Sequence, residues 1–183
     1  MNRAGFVIDY QNMHLVGNNL FSNSMNSNST FISPIKMAQA LLRNQDSLIS
    51  EVRVFRGLPS NLKESRKYAL NMSQKSAWEK SGAISVHHVP LKYRTNNLPP
   101  QEKGVDVLAA VNLFEMSESG KFDILYLLSH DTDFIPAVKI ILELGRTRIV
   151  SVGWQGRHPL HITHENFEYD RLTREDYWNA VMR

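Results

Sequence analysis

Short strand-like runs recur along this chain, at residues 5–9, 52–56, 84–89, 124–129 and 147–152. A strand with one wet face alternates apolar and polar side chains. Ile124-Leu125-Tyr126-Leu127-Leu128 does not alternate, so both of its faces must be covered. The intervening segments carry helix signals. Ser33-Pro34 is an N-cap followed by proline at the first helical position, opening a helix through Leu41-Leu42. Residues 58–80 form a longer amphipathic stretch closed by Gly82, residues 105–116 are largely apolar, and residues 134–144 stop at Gly145. A last helix is expected over residues 173–182. Buried strands alternating with helices predict an α/β fold, a mainly parallel five-stranded sheet covered by helices on both faces, in one domain spanning residues 1–183.

Composition narrows the function without naming it. A chain of 183 residues with 42% hydrophobic content can bury a full core. No stretch approaches the roughly 18 apolar residues of a membrane span, and Met1-Asn2-Arg3-Ala4 leads straight into the first strand. With no cysteine there is no disulfide framework, zinc knuckle or thiol chemistry. A cytoplasmic protein without a leader is the expectation. Net charge is +3, from 21 basic and 18 acidic residues, too small an excess to argue nucleic-acid binding without regard to where the charges lie. Two stretches lack periodicity. Residues 17–30, rich in Asn and Ser, are expected to form a long mobile loop, and residues 94–104 hold Asn96-Asn97 and Pro99-Pro100 between Lys92/Arg94 and Lys103.

Two buried runs end in acids. Phe6-Val7-Ile8 leads into Asp9, and the run ending at Leu128 leads into Ser129-His130-Asp131-Thr132-Asp133-Phe134. Carboxylates at strand ends lose hydration and repel one another when close, so a chain that gathers several offsets them with a cation. In a doubly wound sheet whose order reverses beside its first strand, the carboxyl ends of strands 1 and 4 meet where ligands bind. That geometry brings Asp9 towards Asp131, and Asp106, at the start of the helix before strand 4, can project into the same crevice. Mg²⁺ or Mn²⁺ accepts such oxygen donors, keeps several waters, and needs only one or two carboxylates beside a substrate phosphate. A plainer reading stands beside this one. Asp131 or Asp133 caps the helix near Phe134, Asp106 sits in a first helical turn, and Asp9 is a polar strand end.

The acids lie in a recognisable order. Phe6-Val7-Ile8-Asp9-x-x-Asn12, Lys103-Gly104-Val105-Asp106, Leu128-Ser129-His130-Asp131-Thr132-Asp133-Phe134-Ile135-Pro136 and Leu144-Gly145 together resemble the NYN domain of the LabA-like branch of the PIN-like nucleases, over residues 4–153. The resemblance implies a PIN-like three-layer α/β/α sandwich and metal-dependent endonucleolytic cleavage of RNA at a Mg²⁺ or Mn²⁺ site. By motif position it implies an acidic cluster of Asp9, Asp106, Asp131 and Asp133, with Asn12 as a polar orienting neighbour and Ser129 at the strand end. PIN-like proteins commonly pair, so a homodimer is expected too. The chain departs from the pattern at Asn112, where the family often has a second Asp, at His130 in place of Gly, and at Tyr10 in place of a small residue. Asn112 can offer a carbonyl oxygen but cannot act as a base. The two bulky residues are expected at the mouth of the site.

Other candidates are weaker. The turn Tyr10-Gln11-Asn12-Met13-His14 lacks the glycines that let a backbone approach a pyrophosphate. His158, His161 and His164, spaced by three and three around Pro159, read as a surface loop rather than a ligand set. Arg56, Lys92, Arg94 and Lys103, with Tyr93 among them and Trp154 after strand 5, suit single-stranded RNA, whose phosphates meet cations and whose bases stack on rings. Ser129 joins them as a possible nucleic-acid contact. The rival class is a non-catalytic RNA-binding or regulatory scaffold that keeps the fold and not the reaction.

Overall fold

The computed structural model describes residues 1–22, 30–94, 99–158 and 160–182. Its strands are β1 (Asn2–Asp9), β2 (Ser47–Leu58), β3 (Ile84–Pro90), β4 (Ile124–Leu128), β5 (Arg148–Trp154) and β6 (Phe167–Leu172), and its helices are α1 (Tyr10–Phe21), α2 (Pro34–Leu42), α3 (Ser65–Glu79), α4 (Val105–Glu118), α5 (Ile135–Leu144) and α6 (Arg174–Ala180). The strands form one sheet in the order β3-β2-β1-β4-β5-β6, every neighbouring pair parallel. Strand order reverses at β1, so the carboxyl ends of β1 and β4 lie side by side.

Period-two alternation along the central strands builds two cores. Phe6, Ile8, Tyr126 and Leu128 face one side, where Met13, Met37, Trp78 and Tyr177 from α1, α2, α3 and α6 cover them. Val7, Leu125 and Leu127 face the other, under Leu113, Val138 and Ile141 from α4 and α5. Burial on both faces is what makes β4 apolar at every position.

Three expectations change. The sheet has six strands, because β6 adds in parallel to β5 at residues expected to lie outside it. Phe167-Glu168-Tyr169-Asp170-Arg171-Leu172 is a half-exposed edge with a charged face, so it lacks the fully apolar signature. Residues 10–21, read as a turn and the start of a loop, are helix α1, nucleated when Asp9 accepts the Asn12 amide as N-cap. The remainder of that expected loop, residues 23–29, lies outside the described residues, as do 95–98 of the second irregular stretch and Pro159. β2 runs through Leu58 and α3 starts only at Ser65, because residues 52–58 pair continuously with β3. Among the described residues no helix is long and apolar enough to cross a membrane.

Trp154 is core, not a stacking platform. It is fully buried, its Nε1 donates to the Met13 carbonyl at 2.8 Å, and its ring meets Phe21 and Tyr177 edge-on. It therefore ties α1 and α6 to β5. Trp154→Ala is expected to lower unfolding free energy by about 3–5 kcal/mol in urea titrations. Unchanged stability with weakened RNA binding would return Trp154 to the surface role.

Candidate functional site

The acids meet where the strand order reverses. Asp9 ends β1 and is 7% exposed. One carboxylate oxygen accepts the Asn12 amide at 3.3 Å, and the other accepts the Ser129 hydroxyl at 3.1 Å. The same hydroxyl accepts the Asp131 amide at 3.1 Å, so one buried oxygen joins the two acidic segments. Asp131 in turn caps the short 3-10 turn Thr132–Phe134 by accepting the Asp133 amide at 2.9 Å. Asn12 fastens the loop from the other side, accepting the His130 amide at 2.9 Å. Gly104, in the left-handed region at φ 82°, lets the chain turn into α4 and sets Asp106 in its first turn.

Asp9, Glu102, Asp106 and Asp131 line a cleft of about 210 Å³ together with Val105. Among the described residues no cation pairs with any of the four. Burial pushes the Asp9 carboxyl up to about 6, against the pull of the Asn12 and Ser129 hydrogen bonds, with Glu102 and Asp131 adding repulsion. Glu102 is raised as well: although the residue is exposed, burial of its carboxyl and repulsion from Asp106 outweigh the opposing pull of Arg56 and of the Gly57 amide, which the carboxylate accepts at 2.7 Å. A Cβ at Gly57 would come within 2.4 Å of that carboxylate oxygen, so glycine is what lets Glu102 lie flat across β2. The donor set is hard oxygen, the kind Mg²⁺ and Mn²⁺ accept. The oxygens line one cleft without converging: among the described residues no three acidic or imidazole groups stand together as a ready-made metal cage.

The profile of the NYN domain matches residues 3–161. The chain belongs to the NYN domain family. NYN domains are part of the PIN-like nuclease superfamily. The crystal structure of a protein of unknown function from Vibrio parahaemolyticus RIMD 2210633 is similar in fold, with a TM-score of 0.59 and 14% identity over 99% of this chain and 96% of that one. No curated protein matches the chain.

The structure brings Asp9, Asp106 and Asp131 to this NYN cleft and leaves other expected residues outside it. Asp133 is exposed and does not line the cleft. Ser129 is 1% exposed, so it holds the acids and has no open face for nucleic acid. Arg56 is 6% exposed beneath Tyr10 and Trp78 rather than a surface cation, because its guanidinium stacks over those rings at 4.7 and 5.8 Å. Lys92, Arg94 and Lys103 are exposed, and Lys92 pairs through its backbone with Gln101. Tyr10 is fully buried, its hydroxyl bonded to the backbone of Ile32, and His130 packs against Gly153 and accepts the Trp154 amide at 3.0 Å. Neither narrows the mouth. Asn112 lies away from the acids, accepting from Arg53 at 2.8 Å and donating to the Leu108 carbonyl at 2.9 Å. Glu102 was not expected. It directly precedes Lys103-Gly104-Val105-Asp106, and an acid adjoining that motif was the available signal.

Linkage follows from Asp9. Its folded pKa of about 6 lies above the ordinary aspartate value, so the native state holds a proton that the unfolded chain has already released. Stability contributed by that proton is complete below about pH 4, falls as pH rises to about 6, and is then gone, a loss of about 3 kcal/mol at 1.36 kcal/mol per pH unit. In chelator, Asp9→Asn is expected to match wild type near pH 4 and to exceed its stability at pH 7.5. Denaturant titrations at both pH values measure this, and a gap independent of pH would show that burial does not shift Asp9.

Proposed function

We propose that this NYN domain is a metal-dependent endoribonuclease, hydrolysing phosphodiester bonds of single-stranded RNA in the acidic cleft. The observation that carries the reading is four carboxylates from three separate segments around one cavity, with a buried Asp9 and, among the described residues, no cation within ion-pair distance. So much unpaired negative charge beside low-dielectric protein is unfavourable for folding and favourable for a cation. Asp9, Asp106 and Asp131 would hold Mg²⁺ or Mn²⁺, directly or through waters, with Glu102 on the facing wall. When bound, the ion neutralises phosphate charge and lowers the pKa of water. The chain's own part is positional. Ser129 fixes Asp9 relative to Asp131, Asn12 fixes the loop that carries Asp131, and Lys103, Lys92 and Arg94 supply exposed cations for the RNA backbone beside the cleft.

Purified protein should cut unstructured RNA with Mn²⁺ or Mg²⁺ and stop on chelation. Asp9→Asn and Asp131→Asn should each lower the rate by on the order of 100-fold or more, as expected for removal of a group that stabilises transition-state charge. Mn²⁺ should also raise the melting temperature of the wild type and not of Asp9→Asn. RNA binding with neither cleavage nor a Mn²⁺ shift would support a non-catalytic scaffold, the reading that the unconverged carboxylates favour.

Asn112 gives an independent check. Its side chain already serves Arg53, which also pairs with Glu51 at 2.6 Å and Glu115 at 3.0 Å. Asn112→Asp is therefore expected to place a third carboxylate on Arg53 and to leave the Mn²⁺ midpoint unchanged. Tighter Mn²⁺ binding would bring residue 112 into the site.

A further inference from the structure

A second cavity of about 310 Å³ adjoins the acidic cleft, and Glu102 lines both. Three stretches far apart in the chain border it on one side: the turn from β2 into α3 with Pro59 and Glu64, the residues after β3 with Leu91, and the residues before α4 with Pro100. Hydrogen bonds fasten these stretches to one another. The Ser60 amide donates to the Tyr93 hydroxyl at 2.8 Å, and that hydroxyl donates to Glu64 at 2.6 Å. Lys92 and Gln101 exchange both backbone hydrogen bonds at 2.9 Å, and Glu102 accepts the Gly57 amide. The three stretches therefore form one shelf beside the cleft.

The shelf is positively charged. It carries five exposed cations, Lys63, Arg66, Lys92, Arg94 and Lys103, none of them in an ion pair among the described residues. Its two acids are already engaged, Glu64 with Lys67 and Tyr93, and Glu102 with the Gly57 amide. By contrast, Arg3, Arg43, Arg146 and Arg148 elsewhere on the surface each pair with a carboxylate. Lys63 lies over the Tyr93 ring, 4.6 Å from its centroid, which ties the β2–α3 turn to the residues after β3 a second time. The other rim of the cleft has the opposite sign, because the turn after β4 exposes Thr132 and Asp133 and has no Lys or Arg before Lys139. Five like charges on one surface repel one another, and a polyanion relieves that repulsion. From Lys103 through the Lys92–Gln101 pair to Arg94 the shelf covers roughly 15 Å at about 3.4 Å per residue, more than one phosphate needs.

We propose that this shelf is a docking track for single-stranded RNA on one side of the scissile bond, its cations meeting the phosphates of the strand as it leaves the acidic cleft past Glu102. The proposal rests on the nuclease reading for what occupies the cleft. It adds Lys63 and Arg66 as RNA contacts, and it makes the substrate extend from the cleft in one direction. A strand can follow cations that border a cleft and a cavity. A flat lipid surface cannot enter either.

The test is fluorescence anisotropy of a labelled oligouridylate bound to the intact protein in chelator, over salt from about 0.05 to 0.3 M. Each phosphate neutralised on a single strand contributes about −0.7 to the slope of log K against log salt, so full engagement of the shelf gives about −3.5. Lys63→Gln combined with Arg66→Gln is expected to make the slope shallower by about 1.4 and to weaken binding about 25-fold at about 0.1 M salt. Lys80→Gln combined with Lys121→Gln removes the same charge from exposed positions just before β3 and β4, at the other end of the sheet, and is expected to leave the slope unchanged. A wild-type slope in the first pair, or an equal loss in both pairs, would overturn the track. So would loss of binding to phosphatidylserine vesicles in the first pair with RNA binding intact, which would make the shelf a membrane-facing patch. Because no cleavage is read, the two ideas fail separately. RNA held on the shelf of a protein that cuts none removes the nuclease alone, and cutting by a protein whose shelf variants bind RNA as the wild type does removes the track alone.

Discussion

A strand buried on both faces has nowhere to put a polar side chain except its ends, and this constraint arranges the rest of the molecule. β4 is apolar at all five positions, and β1 from Ala4 onward is apolar or Gly until Asp9. Polar chemistry is thereby displaced to the carboxyl edge of the sheet. The reversal of strand order then sets the ends of β1 and β4 next to each other. Ser129 completes the arrangement, since its buried hydroxyl serves Asp9 as donor and the Asp131 amide as acceptor. Neither acid can move without releasing that oxygen.

Capping and ligand roles coincide here instead of competing. Asp9 starts α1 and Asp131 starts the 3-10 turn, each by accepting a backbone amide. A cap uses only one of the two carboxylate oxygens. For Asp9 the second oxygen is taken by Ser129. Each carboxylate oxygen has a further lone pair, so the acids can be structurally required and still offer donors to the cleft they line, which is why helix-capping arguments from sequence alone did not separate the two roles.

The fold was legible wherever the signal was short-range. Strand-like runs marked β1 through β5, apolar throughout in β4, and Gly145 in the left-handed conformation closed α5 where expected. What failed depended on tertiary context. β6 reads as a charged edge, and α1 carries Gly17 and three Asn, poor helix formers that are held by packing of Met13 and Gly17 against the core and Trp154. At the site, Asp9, Asp106 and Asp131 were readable from strand ends and motif order. Burial was not. Arg56 and Ser129 look like surface groups in sequence, and only the crossing of β2 under α1 and α3, and of β1 beside β4, shows that they are interior. Glu102 was hidden because its partner, the Gly57 amide, is 45 residues away.

Glu102 stands on the wall between the two cavities, with one oxygen held by Gly57. A shared ionisable wall makes the cavities thermodynamically reciprocal. Any occupant of one that draws the Glu102 carboxylate, or changes its protonation, alters the affinity of the other, and the second occupant must return the same factor to the first. The coupling needs no moving domain. It would be carried by one side chain lying across a glycine, so residue 57, which sets that packing, would also set the strength of any coupling.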